Sequence, residues 1–169
     1  VRMFIGREKE LEALDQLYKS DKFEFVVIYG RRRVGKTALI NHFMDGKKSI
    51  YFMGVESNEK QNLENFSKSI IESSSGIQTE TSFLSFQAAL EYGFKLAENE
   101  RIILAIDEYP YVARTSQSLA STLQMLIDKY KDSTKFRGFN KVIELWQEGN
   151  IYGISDKAFP RYYHLDGDS

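Results

Sequence analysis

The chain has 169 residues, 42% hydrophobic and 28% charged, and its 23 Lys and Arg against 24 Asp and Glu give a formal net charge of -1. This is the composition of an ordinary globular domain large enough to bury a core, which excludes wholesale disorder. The near-neutral charge argues against a protein whose main task is coating nucleic acid. With no cysteine, disulfide frameworks, zinc ribbons, thiol catalysis and iron–sulfur clusters are excluded as well. The longest apolar runs, such as Phe25–Tyr29 and Ile102–Ile106, fall far short of the roughly 18 residues a membrane span needs, so no membrane partner is expected. Val1–Glu8 carries no apolar h-region of a secretory signal, and the cytoplasm is the expected location.

In chain order, Leu11, Leu14, Leu17 and Tyr18 recur at helical spacing and predict a helix from about Arg7 to Tyr18. Phe23–Tyr29 is a near-continuous apolar, β-branched and aromatic run, the mark of a strand buried on both faces of a parallel sheet. A loop over Gly30–Gly35 follows, then a helix from Lys36 to about Phe43 that ends at Asp45-Gly46. Ser49–Met53 is a second short strand. Two helices come next, one with Leu63, Phe66 and Ile70 on a face and one with Phe83, Phe86, Leu90 and Phe94. The stretch Asn58–Asn62 reads as the solvated start of the first of them. Ile102–Ile106 is a third strand, ending at Asp107-Glu108, and Ser116–Tyr130 is again helical. Lys141–Trp146 and Ile151–Ile154 read as two further strands, the first equally as part of a helix, and Trp146, Phe159, Tyr162 and Tyr163 as core of the tail. Strands alternating with helices over long connections predict an α/β fold, a three-layer sandwich around a mostly parallel sheet.

The segment Gly30-Arg-Arg-Arg-Val-Gly35-Lys36-Thr37 matches G-x-x-x-x-G-K-[ST], the Walker A pattern, in the strand-to-helix setting that pattern requires. Gly30 frees the exit from the strand, and Gly35 lets backbone approach a phosphate closely. Successive N–H groups of the loop and of the next helix's first turn form an anion nest. Lys36 offers a compact positive charge to the β- and γ-phosphates, and the Thr37 hydroxyl can ligate Mg²⁺. Val34 and Ala38 complete the nucleotide-binding segment. For Arg31, Arg32 and Arg33 the bland reading is solvent exposure at variable loop positions, and the sharper one is added positive potential at the phosphate mouth.

A Mg-nucleotide site needs a carboxylate from a neighbouring strand end. Asp107 is placed to hold Mg²⁺ through water, and Glu108 to polarise an attacking water. The second carboxylate favours an ATPase over a small-molecule kinase. His42 and His164 lack partners at metal-ligand spacing, so zinc is unsupported.

On these residues the chain resembles the archaeal-type ATPases, P-loop proteins of the STAND group related to AAA+ ATPases. Phe4–Leu11 is similar to the family's N-terminal motif, Phe23–Thr37 to its Walker A segment with the arginine run, and Ile106–Val112 to its Walker B segment including Tyr109 and Pro110. The likeness covers about Met3 to Asp132 and divides the chain into a P-loop core over 1–132 and a divergent tail over 133–169. It implies ATP and Mg²⁺ as ligands, regulated hydrolysis coupled to conformational change, and adenine contacts near Ile5, Gly6 and Arg7. It also implies a sensor strand between the Walker A and Walker B strands and an arginine finger, neither of which stands out after Asp132. The expected sheet is therefore incomplete unless Val142–Trp146 fills it, and the chain reads as a truncated or rearranged product. An alternative reading is a non-hydrolysing, nucleotide-dependent interaction module with a protein partner or self-association. Nucleic acid is not expected to bind this chain by itself.

Overall fold

A computed structural model of the chain describes residues 6–20, 22–30, 33–78, 80–130, 139–145 and 161–165; for 29–30, 139–145 and 161–165 the description is of the backbone. In order, the elements are α1 (Glu8–Tyr18), β1 (Glu24–Gly30), α2 (Lys36–Met44), β2 (Ser49–Met53), α3 (Glu59–Ser75), α4 (Phe86–Leu96), β3 (Ile102–Asp107), α5 (Tyr109–Thr115), α6 (Gln117–Tyr130), β4 (Phe139–Leu145) and β5 (Arg161–Leu165). The five strands form one parallel sheet in the order β2-β3-β4-β1-β5.

Alternation along the buried strands sends side chains to two cores. Phe25 and Val27 of β1, Ile50 and Phe52 of β2 and Ile102, Leu104 and Ile106 of β3 meet the apolar stripes of α3, α4, α5 and α6. Val26, Ile28, Ile103 and Ala105 face the other way, against Leu14 and Leu17 of α1 and Leu39, Ile40 and Phe43 of α2. Helices thus cover both faces, and this is why the strands read as unbroken apolar runs. In the first core Phe52, Phe66 and Phe86 form a ring chain with centroids 5.0 and 5.8 Å apart. Such pairs add about 0.5–1.5 kcal/mol each beyond the area they bury.

The α/β class, the parallel sheet and the three layers are as the sequence predicts, and several particulars differ. β4 pairs with β1 on one side, Val26 opposite Val142, and with β3 on the other, Ala105 opposite Val142. A segment beyond Asp132 thereby occupies the sheet position that the sequence reading leaves open. β5 adds an edge strand beside β1 where the sequence suggested only tail core. The anticipated strand over Ile151–Ile154, together with Trp146 and Phe159, lies outside the described residues. α5 is a further helix, with Pro110 in its first turn, where the missing N–H costs nothing. α4 begins only after Ser85, whose side chain accepts from the Ala88 N–H at 3.1 Å, so Phe83 packs on the core from the preceding loop. Asn58 does cap α3, but Asn62 is fully buried instead of solvated.

Candidate nucleotide site

The Gly30–Thr37 loop leaves β1 at the C-terminal end of the sheet and enters α2 through Gly35, which has φ +93°. A Cβ built there would meet nothing within 4 Å, so glycine is required by the left-handed backbone and not by crowding. The helix opens with the Leu39 N–H bonded to the Gly35 carbonyl at 2.9 Å, and its first-turn N–H groups face out of the N-terminus. Lys36 is 5% exposed, a degree of burial rare for lysine. With Arg33, Gly35, Thr37, Ala38, Asn41 and Glu108 it lines an open cleft of about 450 Å³. Arg33 is itself left-handed, at φ +63°, and exposed at the rim.

β3 delivers the acids. Asp107 is fully buried, and its Oδ2 accepts a hydrogen bond from the Thr37 hydroxyl at 2.7 Å, across 70 residues of sequence. The same oxygen accepts from the Tyr51 phenol, and Oδ1 accepts from the Glu108 N–H at 2.9 Å. Glu108 sits at φ +54° as the N-cap of α5, and its side chain lines the cleft. The chain turns there from strand to helix within a single residue. Gly54, just after β2, braces this turn: its N–H donates to the Asp107 carbonyl at 2.8 Å. A Cβ on Gly54 would fall 2.5 Å from Val112 Cγ2 and 2.7 Å from the Glu108 carbonyl oxygen.

Gly6 and Arg7 are both left-handed, at φ +93° and +66°, and together they form the turn into α1. The Arg7 guanidinium donates to the Val34 carbonyl at 3.1 Å and pairs with Glu10 at 3.5 Å. Of the residues singled out from sequence, Arg33, Gly35, Lys36, Thr37, Ala38 and Glu108 share the cleft. Asp107 stands behind it through Thr37, and Arg7 joins through Val34. Ile5, Arg31 and Arg32 lie outside the described residues, and Gly30 is described by its backbone as the last residue of β1. Asn41, Tyr51 and Gly54 were missed. The spacing of Asn41 four residues beyond Thr37 on α2 was a usable signal. Tyr51 and Gly54 depend on sheet register, which the sequence does not display.

The donor set suits magnesium. One hydroxyl and one carboxylate, joined by a hydrogen bond, are hard oxygen donors of the kind Mg²⁺ takes while keeping several waters and binding phosphate. Among the described residues no group of three or more His, Cys, Asp or Glu forms a metal cage, and a cation held this way needs none.

A parallel sheet in this order, with a glycine loop leading from β1 into α2 and paired acids at the end of β3, defines a P-loop ATPase fold. Residues 4–151 match the family model of an ATPase domain found predominantly in Archaea, and the chain belongs to that family. The match continues past Asp132 and runs through β4. The Methanocaldococcus jannaschii protein MJECL04 is 31% identical over 133 residues, covering 79% of this chain and 28% of its own length. The ATP-binding protein MJ0423 of the same organism is 48% identical over 46 residues, 27% of this chain and 78% of that protein. Among solved structures, the Aeropyrum pernix ORC2 protein in its ADPNP–ADP complexes superposes with a TM-score of 0.66 at 16% identity, over 98% of this chain and 49% of that one. The Walker-type ATPase PABY2304 of Pyrococcus abyssi gives 0.59 at 18% identity, over 83% and 45%. The chain therefore spans under half the length of MJECL04 and of these two structures. Membership makes it a nucleotide-binding P-loop ATPase domain in the broad sense. No helix among the described residues is long and apolar enough to cross a membrane.

Proposed function

We propose that the chain binds Mg-ATP in the cleft between the Gly30–Thr37 loop and Asp107-Glu108, and that it hydrolyses ATP in step with a conformational change. The observation that carries this reading is the 2.7 Å hydrogen bond from Thr37 to Asp107. It puts the loop lysine and the second acid on one cleft, although they are far apart in sequence. Lys36 and the N–H groups at the start of α2 neutralise the β- and γ-phosphates. Thr37, whose one proton is committed to Asp107, turns its lone pairs outward to a cation. Mg²⁺, when bound, screens the phosphate charge that builds up as the terminal bond breaks. Glu108 orients the attacking water and accepts its proton. Arg7, fastened to Val34, and Gly6 before it form the adenine side of the site.

Isothermal titration with Mg-ATP, on the wild type beside Lys36→Ala, tests the binding. Equal and tight binding by both proteins would sink the assignment. Phosphate release by wild type and Glu108→Gln tests the chemistry. A fall of at least a hundredfold in the variant, with ATP affinity kept, is the hydrolase outcome. An indistinguishable background from both leaves a nucleotide-dependent interaction module.

A further inference from the structure

We propose that Tyr51 is a positioning residue for the magnesium-side carboxylate, its phenol fixing the plane of Asp107 so that one acceptor site is left for a hydrated divalent cation beside Thr37. The inference rests on the nucleotide reading above. Tyr51 lies on β2, a strand that carries none of the nucleotide motifs. In the sheet register it stands opposite Ala105, and Met53 stands opposite Asp107. Residues 51 and 53 thus share a face with 105 and 107. Ala105, the smallest side chain on β3, leaves room for the ring, and the hydroxyl reaches two residues further along to Oδ2 of Asp107. The ring itself is half-buried against the α1–α2 core.

A carboxylate has about four lone-pair sites. Three donors are present here, each from a different part of the fold: Thr37 of α2, Tyr51 of β2 and the Glu108 N–H at the head of α5. Together they hold both oxygens and leave one site, the number a single metal-bound water requires. Without the phenol, Thr37 and the Glu108 N–H still hold one contact on each oxygen, but rotation of the group away from β2 is no longer opposed. Mg²⁺ demands a nearly ideal octahedron and tolerates misaligned outer partners poorly. Outer-shell hydrogen-bond partners of metal sites typically change metal affinity by about 10–100-fold when removed.

The test follows a fluorescent ATP analogue binding to the full chain, first in EDTA and then with increasing MgCl₂. Tyr51→Phe keeps the ring and removes the donor. The expected result is unchanged affinity in EDTA and a rise of about tenfold in the Mg²⁺ concentration that gives half of the strengthening. Superimposable Mg²⁺ titrations overturn the proposal, and so does an equal loss of affinity with and without Mg²⁺, which marks a structural role. If Tyr51→Phe does not fold, Tyr51→Met, which keeps apolar volume without a donor, carries the same comparison. A wild type that binds no nucleotide in either condition overturns the nucleotide reading itself, and is told apart from failure of the Tyr51 role by the wild-type trace alone.

Discussion

Arg7 donates from Nη2 to the carbonyl oxygen of Val34 at 3.1 Å, tying the turn before α1 to the loop between β1 and α2 across 27 residues. The side chain is 9% exposed, so water does not readily replace the bond. A hydrogen bond from a charged donor is worth about 1.5–3 kcal/mol. Arg7→Ala should therefore release the Val34 side of the loop and weaken ATP-analogue binding by about tenfold. Arg7 also holds φ +66°, where a Cβ is strained. Arg7→Gly should lose the same affinity yet be more stable than Arg7→Ala to urea, by about 1 kcal/mol. A difference in affinity between the two variants would show that backbone strain, and not the guanidinium, sets the loop.

Gly54 meets the turn at Glu108 with no space for a methyl group. Val112 Cγ2 could move, but the Glu108 carbonyl at 2.7 Å is backbone and has little freedom. Gly54→Ala should then push β2 from the β3–α5 corner, at about 1–3 kcal/mol in stability. Because the displaced residue is Glu108, phosphate release should fall more than nucleotide affinity does. Thermal denaturation and steady-state turnover on the same preparation check both halves. An unchanged turnover with a lowered melting point would leave Gly54 a packing residue only.

Much of the site could be read from the chain because its chemistry is local. The run into Gly30, the spacing to Lys36 and Thr37, and the apolar stretch ending at Asp107-Glu108 each fit within a few residues. Physical reasons explain what could not be read. Phe139–Leu145 carries Asn140, Lys141 and Glu144, a poor likeness of a central strand, and its place between β1 and β3 is a non-local pairing. α5 is one short helix containing a proline, too brief for apolar periodicity to show. Tyr51 looked like one more strand aromatic, since only the register opposite Ala105 and Met53 opposite Asp107 aims it at the carboxylate. Asn62 departs from its residue type: a polar side chain on a helix suggests water, yet its partner is the backbone of a loop.

That loop gives a direct prediction. Asn62 Oδ1 accepts from the Val55 N–H at 2.9 Å, and its Nδ2 donates to the Val55 carbonyl at 3.1 Å, so one buried amide satisfies both polar groups of one residue. Asn62→Leu, similar in size, would strand both at about 1–3 kcal/mol apiece. A loss of about 2–5 kcal/mol in a urea melt is the expected sum after partial relaxation. Asn62→Asp keeps the acceptor but turns a buried carboxylate oxygen against the Val55 carbonyl, and should cost at least as much as Asn62→Leu at neutral pH. A neutral Asn62→Leu would mean that water reaches Val55 freely.

β4 offers a test of the sheet order. Val142 is paired on both sides, with Val26 of β1 and Ala105 of β3. Proline there removes a ladder donor and places its ring against a neighbouring strand, a change found essentially only on edges. Val142→Pro should cost about 3 kcal/mol or more and abolish cooperative unfolding or lower its midpoint steeply. The same substitution in an outlying segment would be mild. A wild-type melt from Val142→Pro would remove β4 from the centre of the sheet.

Tyr109 gives the chain a sensitivity to alkali. The residue is fully buried beside the acidic corner, and burial pushes its phenol well above the ordinary value near 10. In the unfolded chain the phenol ionises from about pH 10 upward. In the folded chain it stays protonated to a higher pH, so above that point the unfolded state holds fewer protons and stability falls as pH rises. The contribution is whole below pH 10 and is lost as pH climbs toward the folded value, at a limiting slope of about 1.4 kcal/mol per pH unit. Tyr109→Phe removes the titrating group and leaves the ring. Urea melts of both proteins at pH 8 and pH 11 should then show a gap between them that shifts in favour of the variant by about 1 kcal/mol at the higher pH. A gap that does not change with pH would mean that the Tyr109 hydroxyl reaches solvent readily enough to ionise in place.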